Sequence, residues 1–292
     1  DWRVWASPNG PVLSNGWADA LAAAHTKHQW PLTDWFQAGA LPFEPFPPVA
    51  NQCPSGRDCD VVAFQDSGGK FHLWDKIASP HGTTSFFYGN PGDIAFSGDW
   101  NCDGVDTPGL YRQSDGFVYL RNSNTQGVAD ITFYFGNPGD VPLAGDFNND
   151  GCDTVSIYRP SEARFYVINQ LGQNGGGLGS AEYAFYFGNF GDKPFTGDFN
   201  GDGITTVGLH RTSSGFVYFR NSNSTGVADS QFFYGDPGDR LVAGDWNGDG
   251  LDTVAVYRPS TGFLYIKNSN TEGFADATLF AGSYTGLVVI RR

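Results

Sequence analysis

Four segments of the chain repeat one arrangement of oxygen-bearing side chains. The first holds Asp99, Asn101, Asp103, Gly104 and Asp106, and the second Asp146, Asn148, Asp150, Gly151 and Asp153. The third holds Asp198, Asn200, Asp202 and Gly203, and the fourth Asp245, Asn247, Asp249, Gly250 and Asp252. Acidic and amide oxygens at alternate positions can wrap a hard cation, glycine at position six allows the sharp turn, and position seven can offer its carbonyl. Aspartate and asparagine also make turns without a metal. Four occurrences in register favour Ca2+, with Asp106, Asp153 and Asp252 at position eight counted among the candidate ligands. The third loop has Thr205 in that place and is expected to be the weaker site.

Little else has the makings of catalysis. His25, His28, His72, His81 and His210 occupy no repeated position and no H-E-x-x-H motif, and no G-x-S-x-G elbow is present. The expectation is a non-enzyme with no catalytic residue. The 292 residues include 17 basic and 31 acidic ones, a net charge of −14 that argues against nucleic acid as a partner. No apolar run approaches the ~18 residues needed to span a bilayer as a helix. Cys53, Cys59, Cys102 and Cys152 fit two disulfides formed in an oxidising compartment, and the chain starts at Asp1 without methionine. Together these give an expectation of a mature extracellular, secreted protein.

The elements that must position the loops are themselves repeated. FYGNPGD from Phe87 returns as YFGNPGD from Tyr134, YFGNFGD from Tyr186 and FYGDPGD from Phe233. The leading loop aspartates are spaced by 47, 52 and 47 residues, the long interval carrying a glycine-rich insertion at 172–179. Each unit has four short runs of aromatic and β-branched residues separated by turn formers. In the last full unit the runs are 240–244, 253–257, 263–267 and 277–281. Pro91-Gly92 fits a type II turn. Four strands in about 45 residues, repeated in tandem, are the pattern of propeller blades. The chain is therefore expected to be all-β: a five-bladed β-propeller of four-stranded blades over 47–282. Cys59-Asp60-Val61-Val62 aligns with Cys152-Asp153-Thr154-Val155 and reveals the first unit, in which 48–50 fall on the strand at 141–143.

The GDWNGDG loops followed by TVAVYR-like strands resemble the FG-GAP or VCBS-type repeats of integrin α-subunit propellers and of many secreted bacterial proteins. The resemblance covers 47–282. It implies a propeller with calcium in blade loops on one face, and the loops themselves are similar to those of EF-hands. The integrin-like loop ends on an acidic residue at position nine, whereas Thr107, Thr154, Thr206 and Thr253 stand there, so the last ligand is open. In the first unit Cys53 and Arg57 replace the first two aspartates, and metal is expected to be lost there. Cys53 and Cys59, at loop positions one and seven, are placed to close that loop by a disulfide. Cys102 and Cys152 are left to pair between neighbouring blades.

Both ends fall outside the five units. Residues 1–46 hold Trp2, Trp5, Trp17, Trp30 and Trp35, with a short helix expected over 16–29. Residues 286–292 match 239–245 and form a surplus strand in the segment 283–292, to close the ring at home or to add to another copy. RNSNTQGVAD from Arg121, RNSNSTGVAD from Arg220 and KNSNTEGFAD from Lys267 read as a hairpin connection, with a repeated ligand site as the alternative. The leading functional expectation is structural self-assembly, filaments included, or adhesion, with other copies of the chain, cell-surface proteins or glycans as partners. A multivalent lectin-like module is the second reading and a secreted hydrolase the third.

Overall fold

The computed structural model describes residues 59–74, 84–172 and 180–291. The segment 1–46 with its expected helix, the strand expected at 48–50 and Cys53 lie outside the described residues. The rest forms five four-stranded antiparallel sheets, the blades of a five-bladed β-propeller. The first blade contains β1 (Val61–Gln65), β2 (Lys70–Leu73) and β3 (Thr84–Phe87). The second has β4 (Ile94–Gly98), β5 (Thr107–Arg112), β6 (Phe117–Leu120) and β7 (Ile131–Tyr134). The third has β8 (Val141–Gly145), β9 (Thr154–Arg159), β10 (Arg164–Val167) and β11 (Tyr183–Tyr186). The fourth has β12 (Lys193–Gly197), β13 (Thr206–Arg211), β14 (Phe216–Phe219) and β15 (Ser230–Phe233). The fifth has β16 (Arg240–Gly244), β17 (Thr253–Arg258), β18 (Phe263–Ile266) and β19 (Ala277–Phe280).

The C-terminal strand β20 (Gly286–Ile290) pairs antiparallel with β1, Val61 facing Ile290 and Gln65 facing Gly286. It supplies the fourth, innermost strand of the first blade. The innermost strands β20, β4, β8, β12 and β16 then touch in that order, and β16 returns to β20. Of the two fates open to 286–290, the strand pairs at home.

The core sits between blades. Each second strand is buried along both faces: Thr154 to Tyr158 of β9 are all buried, as are Thr253 to Tyr257 of β17. Both faces are covered because a blade is packed on either side. Buried side chains gather into clusters that each join two neighbouring blades. At the closing junction Val62, Phe64 and Trp74 of the first blade meet Trp246, Tyr257 and Leu264 of the fifth. Trp100 and Trp246 are core residues whose indole N–H groups donate to the carbonyls of Thr107 and Thr253. Gly92 has φ 95° in its Pro-Gly turn, and a Cβ there would meet nothing, so backbone conformation alone demands glycine.

Candidate functional site

All four acidic loops occupy the same place, between the innermost strand and the second strand of their blades. In the first, Asp99 Oδ1 accepts from the Asp103 N–H at 3.0 Å and Oδ2 from the Gly104 N–H at 2.7 Å. The Asn101 amide lies 2.9 Å from Asp103 Oδ2. The loops at Asp146, Asp198 and Asp245 repeat this, with Asn148–Asp150, Asn200–Asp202 and Asn247–Asp249 contacts of 2.9–3.0 Å. Positions three and five therefore touch in each loop, while the position-one carboxylate binds the loop's own backbone N–H groups. The all-oxygen donor set of positions one, three and five suits a hard cation in kind, and it comprises two carboxylates and one amide per loop. Among the described residues no three acidic, histidine or cysteine side chains gather as a metal group.

Position eight has a different task. Asp153 Oδ2 accepts from the N–H of Asp99 in the preceding blade at 2.9 Å, while the Asp153 N–H donates to the Asp99 carbonyl at 3.0 Å. Asp252 treats Asp198 in the same way. Asp60 does so with Asp245, and Thr205, through its hydroxyl, with Asp146. Asp106 Oδ2 accepts from the N–H of Arg291 at 3.0 Å. The position is thus a clasp between neighbouring blades, made as well by threonine as by aspartate. In this structure Asp106, Asp153 and Asp252 are engaged by neighbouring strands, and Thr205 takes the same place in the third loop. The glycine before each leading aspartate is required by the same clasp: a Cβ on Gly145 would lie 2.2 Å from Thr205 Cγ2.

Four clasp carboxylates, Asp60, Asp106, Asp153 and Asp252, are buried at one end of the ring. The Arg291 side chain stands among them, 3.5 Å from Asp252 Oδ2. Burial raises the carboxyls of Asp106, Asp153 and Asp252 above the ordinary range, for Asp106 with the Asp153 charge adding to it. Burial alone would lower the Arg291 guanidinium, but the negative charges of Asp252, Asp153, Asp106 and Asp60 hold it high.

Cys102 and Cys152 form a disulfide across the second and third blades, joining loop positions four and seven. Cys59 is also disulfide-bonded. Its expected partner, Cys53, lies outside the described residues. The Asn-Ser-Asn phrase is built as a hairpin connection: Asn124, Asn223 and Asn270 donate to the carbonyls of Asp106, Thr205 and Asp252 at 2.8–3.0 Å. Arg121 wraps its own turn, donating to the carbonyls of Thr125 and Val128.

The other end of the blades carries a constellation that sequence reasoning missed. The arginine closing the second strand grips the aspartate of the Gly-Asn-Pro-Gly-Asp turn 19 residues earlier. Arg112–Asp93, Arg159–Asp140, Arg211–Asp192 and Arg258–Asp239 are all two-pronged, at 2.8–3.0 Å. Each guanidinium also lies 4.5–5.0 Å from the ring of a tyrosine on the third strand: Tyr119, Tyr166, Tyr218 or Tyr265. The signal was present as a repeated Arg and a repeated Asp at fixed offset, in segments read only as strand and turn. Beside one clamp lies a cavity of about 600 Å³ lined by Asn189, Arg211, Tyr218, Val227, Asp229 and Gln231 among others. Its rim residue Val227 is 83% exposed, and its repeat counterparts Val128 and Phe274 are 82% and 96% exposed.

No family model matches the chain, and no curated protein matches it. A solved structure of BBS1N in complex with ARL6DN, soaked with lead, is similar at a TM-score of 0.39 and 9% identity, over 81% of this chain and 65% of that one. That likeness is too slight to bear on function. Among the described residues no helix is long and apolar enough to cross a membrane.

Proposed function

We propose that the chain is a non-catalytic, extracellular, calcium-stabilised propeller that binds glycans at the junctions between its blades. One observation carries this reading: the cavity beside the Arg211–Tyr218 clamp, with an exposed apolar residue on its rim. Its size is in the range of small-molecule sites, and an aromatic ring beside amide, guanidinium and carboxylate groups suits a polyhydroxylated ligand. The clamp and its rim residue recur, so several sites on one rigid ring would bind a branched or repetitive glycan with avidity. Self-assembly ranks second because the spare strand that motivated it is paired within the chain. Ca2+ is assigned to positions one, three and five of the four loops, with the position-seven carbonyl and water completing the shell. There it would fix the loops from which the clasps between neighbouring blades are made.

A glycan array probed with the full chain tests the reading. Any hit is then titrated against Val227→Asp, which places charge on an exposed rim without touching the core. Binding should weaken with Val227→Asp. An empty array, or an unchanged titration, would overturn the assignment.

A further inference from the structure

The fifth residue of the second strand is buried against the linker that leaves its blade. In three blades it is a tyrosine that seals this junction. The hydroxyls of Tyr111, Tyr158 and Tyr257 donate to the carbonyls of Asn137 (2.8 Å), Asn189 (3.4 Å) and Gly282 (2.7 Å). At the ring-closing blade the residue is Gln65. It is only 6% exposed, and its side-chain Nε2 has no hydrogen-bond partner among the described residues. A buried amide in that state is destabilising unless something occupies it.

The neighbouring position changes as well. Asp66 stands where the other four blades have the clamp arginine, and the pairing of Gln65 with Gly286 puts Thr285 where they have its aspartate. Both halves of the clamp are therefore missing at this blade. In their place a cavity of about 570 Å³ is lined by Gln65, Asp66, Asn90, Arg240 and Leu287 among others. Arg240, the first residue of β16, is exposed, and its guanidinium has no ion-pair or hydrogen-bond partner among the described residues.

Of the charged groups in this wall, only the Arg240 guanidinium has no partner among the described residues. The Asp66 carboxylate is already engaged: Oδ1 accepts from the N–H groups of Gly68 and Lys70, and Oδ2 faces His72 Nε2 at 3.2 Å. Asp93 is taken up by Arg112 and by the Asn90 N–H. The buried Gln65 amide lacks an acceptor and the Arg240 guanidinium lacks an anion, with the Asn90 amide and the Ser67 hydroxyl beside them. Ile94, Ala95 and Leu287 give the same wall an apolar flank, which suits an organic ligand better than an inorganic ion. We propose that this ring-closing cavity binds a small organic carboxylate, with Arg240 and the Gln65 amide as its recognition groups. The site is distinct from the junction pockets assigned to glycans and does not depend on that assignment.

The test is titration of the full chain with D-glucuronate, with D-glucose as neutral counterpart and sulfate as inorganic anion, read by calorimetry and by the Gln65 side-chain amide resonances. Glucuronate should bind and shift those resonances, and glucose and sulfate should bind at least about tenfold more weakly. Gln65→Tyr restores the residue of three sister blades, fills the cavity, and should fold normally yet lose binding. Arg240→Gln should weaken glucuronate by about tenfold and leave glucose unchanged. Undiminished binding to folded Gln65→Tyr would overturn the proposal. So would equal binding of glucose and glucuronate, or an absence of glucuronate binding.

Discussion

Arg291→Met isolates the charge that stands among the clasp carboxylates. The substitution keeps an unbranched chain of similar length and removes the guanidinium beside Asp60, Asp106, Asp153 and Asp252. Removing one partner of a buried ion pair costs about 3–5 kcal/mol, because the other charge is left without compensation. A quarter of the Arg291 side chain is still exposed, so the lower end, about 3 kcal/mol, is appropriate. With a urea slope of about 3 kcal/mol per molar, the unfolding midpoint should fall by about 1 M. The buried tryptophans Trp74, Trp100 and Trp246 report the transition by fluorescence. The pH dependence has a definite sign. Burial places the folded-state values of Asp106, Asp153 and Asp252 above their unfolded ones, so stability is gained as pH falls through the folded values. Loss of the guanidinium moves those values higher still. The deficit of the variant should therefore be largest at pH 7 and shrink towards pH 5, while Arg291→Lys should keep most of the stability. A deficit that is absent at pH 7, or that grows on acidification, would refute the argument.

His210 is the second buried departure from the tyrosine seal, and neither of its ring nitrogens has a partner among the described residues. Burial lowers it below its ordinary value, so the unfolded chain binds more protons below pH about 6.5 and stability should be lost on acidification. His210→Tyr should remove that component in parallel urea titrations at pH 5 and 7. The Cys102–Cys152 bond closes a separation of 50 residues, and Cys102→Ser with Cys152→Ser should cost up to about 4 kcal/mol, measured by denaturant unfolding. Calcium should raise the thermal midpoint and a chelator should lower it. Asp198→Ala and Asp245→Ala should each remove one bound ion by equilibrium dialysis with elemental analysis, since Thr205 does not distinguish the third loop. Gly145→Ala should destabilise strongly in thermal melts, because its Cβ would collide with Thr205.

The blades were legible because their side chains alternate and their turns are chemically explicit. The strand 240–244 has the expected bounds, and 253–258, 263–266 and 277–280 differ from expectation by a single residue at one end. The inter-blade Cys102–Cys152 pair was also legible, since tandem loops in register put successive blades side by side. The destination of position eight was not. Within one loop, Asp153 is indistinguishable from a ligand; its hydrogen bond runs to Asp99, 54 residues away, and becomes visible only when two blades are packed. Thr205 carried the clue, because a hydroxyl can replace a carboxylate as an acceptor for an N–H. The arginine–aspartate clamp was hidden for a related reason: each half sat in a segment whose residues were already accounted for by local structure.

In a tandem repeat, positions shared by all units report what the fold requires, and departures report what one unit alone has to do. The first blade departs at Gln65 and Asp66, and it is the blade completed by β20. Ring closure by itself does not call for those changes. Tyr257 seals the fifth blade against the linker leading to β20, and the adjoining side chains of the closing blade pack as tightly as any in the molecule: Phe64 is fully buried against Trp74, Tyr257 and Tyr284. A tyrosine at Gln65 would meet the Asn90 linker as Tyr111 meets that of Asn137. The cavity at this junction is therefore a feature of two side chains rather than of the closure. The same strand position leaves His210 unpartnered in the fourth blade, so it is the cavity and the exposed Arg240 beside Gln65 that argue for a ligand at the closing blade.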